Sequence, residues 1–82
     1  MNVSFDGFEK REVEILTLLL KGMGGKSSQA VTLETTHIIA RDSSGKKCEL
    51  AKKHKIPIVS EKWLKDCSEK SCYLPIRNYL IL

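Results

Sequence analysis

No apolar run in this chain approaches the roughly 20 residues that a helix needs to cross a bilayer. The richest stretch, residues 15 to 20 (Ile-Leu-Thr-Leu-Leu-Leu), is short and sits inside an amphipathic pattern. The beginning, Met-Asn-Val-Ser-Phe-Asp, lacks the basic segment and apolar core of a secretory signal. Neither a membrane contact nor export is therefore expected. Cysteine is sparse and odd in number: Cys48, Cys67 and Cys72 show no Cys-x-x-Cys spacing, which argues against a disulfide framework or a tetrahedral zinc site. Cys48 and Cys67 fall on apolar helix sides, where free cysteine acts as a small hydrophobe, and the reduced state fits cytosol or nucleus. Aromatic residues make up only 6% of the chain, and none interleaves with the lysines of residues 46 to 55 to stack on bases. Nucleotide loops are missing too. Gly22-x-Gly24-Gly25 follows a helix instead of a strand, and Ser43-Ser44-Gly45-Lys46 lacks the spaced first glycine of a P-loop. With no convergent nucleophile, base or ligand set, neither catalysis, metal nor cofactor is expected.

What is present reads as one domain over residues 1–82, with ordinary contents of 41% hydrophobic and 29% charged residues. The net charge of +4 permits contact with nucleic acid or an acidic peptide without demanding either. Residues 2 to 5 alternate as a short strand and end at a turn, Asp6-Gly7. A helix from Glu9 to Met23 follows, with Val13, Ile15, Leu16, Leu19, Leu20 and Met23 on one half and Leu18 among the polar residues. Gly24-Gly25 stops it. Lys26 to Val31 is expected as an edge strand and Thr36 to Arg41 as a central one. A loop at Asp42 to Gly45 leads into a second helix, Lys46 to His54. Ile56 to Val59 forms the last strand, and Ser60 caps a third helix through Glu69. In the tail, Leu74, Ile76, Tyr79, Leu80 and Ile81 should pack back. Two buried strands joined by one helix's length of polar periodicity indicate a βαβ unit with parallel strands, hence an α/β fold.

The ordered set Gly24-Gly25, Thr36-His37-Ile38-Ile39, Gly45-Lys46-Lys47 and Trp63 resembles the BRCT domain. The run Ser44 to Ala51 is most similar to domains of multi-BRCT checkpoint and replication scaffolds. The resemblance implies a four-stranded parallel sheet of order 2-1-3-4, with the first and third helices on one face and the second on the other. It implies a nuclear protein-interaction module of DNA-damage, checkpoint or replication proteins, one that often packs against a second BRCT domain. Leu18 and the apolar tail are candidate contacts for such packing. Read from the residues alone, Trp63 is core, His37 is a hydrogen-bonded structural residue, and the helix dipole accounts for His54.

Some BRCT domains bind phosphorylated serine or threonine, using Ser/Thr-Gly at the end of the first strand and a lysine at the start of the second helix. A helix N-terminus offers free N–H donors and a positive dipole end, and a lysine adds a full charge. Lys47 matches that lysine, on the inner side of its helix with Leu50, Ala51 and Cys48, while Lys46, Glu49, Lys52 and Lys53 point outward. Asp6-Gly7 departs from Ser/Thr-Gly. An ionised carboxylate donates no hydrogen bond and repels phosphate, so Asp6 and Lys47 are candidates to pair with each other. Ser4 lies two residues earlier on the same strand face. Asp6, Gly7, Lys46 and Lys47 thus form the candidate phosphate or partner pocket. A phosphopeptide or DNA-end ligand there, salt-dependent DNA contact by residues 46 to 55, and a purely structural or dimerising role remain the alternatives.

Overall fold

The computed structural model describes residues 1–42 and 45–81. Ser43 and Ser44 of the expected loop, and Leu82 of the tail, lie outside the described residues. The elements run β1 (Asn2–Asp6), α1 (Lys10–Gly22), β2 (Lys26–Ser27), β3 (His37–Ala40), α2 (Lys46–Lys53), β4 (Ile58–Val59) and α3 (Glu61–Lys70), then a 3-10 turn at Ile76–Tyr79. All ladders of the sheet are parallel, in the order β2-β1-β3-β4. The architecture is the one expected.

Period-2 alternation sends each central strand into two cores. Val3, Phe5, Ile39 and Val59 join Leu16 and Leu20 of α1 and Trp63, Leu64 and Cys67 of α3. Ile38, Ala40 and Ile58 join Cys48 and Ala51 of α2 on the other face. Strands buried on both faces must be apolar throughout, which is why β3 reads Ile-Ile-Ala without a polar break. Ser4 is the polar exception in β1. It is fully buried, and the carbonyls of Ser28 (3.0 Å) and Ala30 (3.2 Å) share its one hydroxyl proton. It therefore fastens the start of the β2–β3 connection and does not face a ligand.

The strands at the edges are shorter than expected. β2 stops at Ser27, because the carbonyls of Ser28 and Ala30 turn to the Ser4 hydroxyl instead of extending a ladder. β4 begins only at Ile58: Ile56 spends its N–H on Ala51 O (2.8 Å) to close α2, and Pro57 has no N–H to give. Ile15, expected in the apolar half of α1, is 54% exposed, since the buried stripe runs along Leu16 and Leu20 and leaves Ile15 at its rim. Leu50 of α2 also lies further out than expected, at 45% exposed. Leu18 is exposed, as read.

Helix endings follow one device. Gly24, at φ +80°, lets its own N–H reach Lys21 O and the N–H of Gly25 reach Leu20 O, both at 3.0 Å. Gly25 is needed for a different reason: it is buried against the Leu20 side chain, which a Cβ would strike. α2 and α3 close the same way, with Lys55 (φ 59°) and Ser71 (φ 55°) at the left-handed position. At the start of α3 the expected hydroxyl cap is not made. Ser60 holds that place with its backbone, accepting the N–H of Trp63 (3.1 Å) and donating its own N–H to Tyr79 O (2.9 Å).

Leu74, Ile76 and Tyr79 pack on the α1/α3 core and Ile81 on the α2 core. Leu80, expected to pack back, remains about half exposed. Its backbone forms an antiparallel bridge with Val59.

Candidate phosphate and partner-binding site

The C-terminal end of β1 meets the start of α2. Lys47, in the first turn of α2, is half-buried and its ammonium donates to Phe5 O at 2.9 Å. The bond engages one of the three N–H donors that an ammonium carries. The expected Asp6–Lys47 pair does not form. The Asp6 carboxylate sits instead on Gly45, the residue that caps α2, and a Cβ at position 45 would overlap it. Its Oδ2 is buried and has no hydrogen-bond partner among the described residues. An anion at a helix N-terminus is favoured by the dipole, so Asp6 occupies from within the place where an external anion would be welcomed. Beside it, burial pushes the Cys48 thiol up from its ordinary value, with the Asp6 carboxylate adding to the shift. Cys48 is thus a packed thiol, not a thiolate nucleophile.

A cleft of about 460 Å³ opens next to this junction, lined among others by Phe5, Phe8, Lys10, Ser28, Gln29 and Lys47. Gly7, at φ +83°, makes the turn that carries the chain from β1 to Phe8. Phe8 meets Phe5 edge-on at 6.3 Å, and the Arg41 guanidinium lies 5.6 Å from its ring centroid. Arg41 is tied to Glu12, whose carboxyl is held below its usual range chiefly by that guanidinium and then by the Glu9 N–H. Of the four candidate residues, Lys47 lines the cleft, whereas Asp6, Gly7 and the exposed Lys46 are not among its lining residues. Lys10 is the residue that sequence reasoning missed. Its position at the start of the first helix, three residues after Gly7, was the available signal.

The signature residues hold the scaffold. Thr36 Oγ1 accepts the N–H of Asn2 (3.0 Å) and donates to Asn2 O (2.9 Å), locking β3 to β1. Its one proton is thereby used, so His37 Nδ1, 2.9 Å away, must donate to it. The His37 ring stacks on Trp63 at 5.2 Å, and burial lowers its pKa below the ordinary value. Trp63 is 2% exposed and its Nε1 donates to Leu74 O at 2.9 Å. Among the described residues no group of three or more His, Cys, Asp or Glu is placed to hold a metal ion. Among the described residues no helix is long and apolar enough to cross a membrane.

Parallel strands covered by helices two-and-one, with a lysine at the mouth of the middle helix, define a small α/β module. Residues 1–68 match the family model of the BRCA1 C Terminus (BRCT) domain, and the chain belongs to that family. BRCT domains are generally non-enzymatic modules that bind proteins and phosphopeptides in DNA-repair and checkpoint proteins. A BRCT domain-containing protein of Arabidopsis thaliana is 35% identical over 81 residues, covering 96% of this chain and 6% of that protein. The structure of Rad4 BRCT1,2 in complex with a Crb2 phosphopeptide is 28% identical with a TM-score of 0.88, over 95% of this chain and 44% of that one. The first BRCT domain of the DNA-repair protein XRCC1 shares the fold, with a TM-score of 0.90 at 24% identity, over 100% of this chain and 64% of that one.

Proposed function

We propose that this chain is a protein-binding module of a nuclear DNA-damage response, checkpoint or replication protein, working as one of several such domains and without catalysis of its own. The observation that carries this reading is the Lys47 ammonium, fixed by Phe5 O in a cleft that Lys10 also lines. Two cations lining one preformed cleft favour an anionic partner segment. The relative that binds a phosphopeptide, Rad4 BRCT1,2, lends support to a phosphorylated one. Asp6 sets the limit on its strength: where a hydroxyl would donate to phosphate, this chain presents a carboxylate.

Calorimetric titration of matched phosphorylated and unphosphorylated peptides tests the reading. The phosphorylated peptide should bind more tightly, Lys47→Ala should abolish the difference, and Asp6→Ser should widen it. Equal affinities in the parent chain and in Asp6→Ser would leave only a phosphate-independent interaction module.

A further inference from the structure

The β2–β3 connection ends in a closed turn that holds a leucine out into water. The N–H of Thr32 donates to Thr35 Oγ1 (2.9 Å), that of Thr35 to Thr32 O (3.1 Å), and that of Glu34 to Thr32 Oγ1 (3.2 Å). Thr35 is itself buried, so the turn is anchored at its base. Leu33 at its tip is 99% exposed. Leu33 and Leu50 of α2 line one cleft of about 450 Å³, together with Val31, His54 and Ile56. Val31 and Ile56 rest on the α2-side core, so the floor of the cleft is continuous with packed structure.

A single exposed leucine calls for no explanation. Two leucines on one preformed cleft, one of them on a turn braced by three hydrogen bonds, are a different matter. Rigid display lowers the entropic cost of docking, because little remains to be ordered. The frame around the leucines is cationic. Lys46 lies one helical turn before Leu50, with Lys53 and His54 one turn after it on the same stripe. Residues 46 to 55 carry five lysines against one glutamate, and Glu34 is the acid on the turn itself.

We propose that this cleft docks an unphosphorylated acidic segment with leucine-type anchors, an amphipathic partner whose apolar side covers Leu33 and Leu50 while its carboxylates meet Lys46 and Lys53. It shares no lining residue with the cleft at Lys47, so it is a second and separate binding surface.

The test is a magnetic-resonance titration of the isotope-labelled chain with a synthetic amphipathic peptide of leucines at helical spacing and glutamates elsewhere. A control peptide has lysine in place of each glutamate. The acidic peptide should shift the amides of Val31, Leu33, Leu50 and Ile56, and its affinity should fall as salt is added. Leu33→Ser and Leu50→Ser should each weaken it roughly tenfold, the loss expected for an interface anchor. Both side chains are solvent-exposed, so unchanged melting temperatures should show that the variants remain folded. Absence of those shifts, equal binding of both peptides, or undiminished affinity in the two serine variants would overturn the proposal. So would concentration-dependent shifts at Leu33 and Leu50 without peptide, which would assign the cleft to a second copy of the chain.

Discussion

His37 and Trp63 illustrate how single side chains carry this fold. The indole fills the space between α3 and the sheet and reaches Leu74 O through its one N–H, while the imidazole lies flat against it. Trp63→Ala should cost about 3 to 5 kcal/mol, the range for an emptied aromatic site. Urea denaturation would show this as a midpoint shift that leaves little stability in a domain of this size. His37 adds a pH term. Its folded pKa lies below the ordinary 6.5, because of burial first and the amino-terminal charge second. The stability it contributes is therefore complete above pH 6.5 and is lost as pH falls toward the folded value. Urea midpoints should decline from near neutrality downward, and His37→Asn should flatten the upper part of that decline. Glu12 acts lower on the scale. Its folded pKa is below 4.5, so its contribution is present above that value and lost under stronger acid.

At the scale of elements, the three helix endings make a matched set. Gly24 occupies the left-handed position freely, while Lys55 and Ser71 hold it with a Cβ at some cost. Lys55→Gly and Ser71→Gly should each stabilise the chain by roughly 0.5–1 kcal/mol, readable as raised melting temperatures. The sheet's two edges are protected differently. β2 is two residues long and exposes a lysine and a serine, both poor invitations to another strand. β4 is covered by the tail, through the Val59–Leu80 bridge and the bond from Ile81 N–H to Ile58 O at 3.0 Å. Removal of residues 73 to 82 should bare that edge and leave the indole N–H of Trp63 without its acceptor, a loss of about 1–3 kcal/mol from the N–H alone. Light scattering should then report association that the intact chain does not show.

For the molecule as a whole, element order was legible because apolar runs and glycine stops are written locally, whereas strand order and the assignment of helices to faces came from the BRCT resemblance. Gly24-Gly25 and the Ile-Ile-Ala run of β3 each mean one thing. Strand length was not legible. The short β2 depends on Ser4, more than twenty residues away, taking carbonyls that a ladder would otherwise use. The exposure of Ile15 and Leu50 was hidden for a similar reason, since a helical wheel gives the apolar side but not which part of it the sheet covers. The candidate site was half legible: Lys47 was found by its place in the second helix, whereas Lys10 joins it only through the tertiary fold. The contact of Asp6 with Gly45 bridges the end of one element and the start of another, and no local pattern records it.

That contact makes positions 6 and 45 a single choice. While a carboxylate stands at 6, a methyl group at 45 would have to displace that buried side chain from its place on the start of α2. Gly45→Ala should therefore be damaging in this chain and nearly harmless beside Asp6→Ala, an interaction that a thermodynamic double-mutant cycle reads directly. An ancestor or descendant that trades the acid for a smaller residue would gain latitude at the mouth of the helix. In descent, the capacity to accept an outside anion and the freedom to vary position 45 would arrive together.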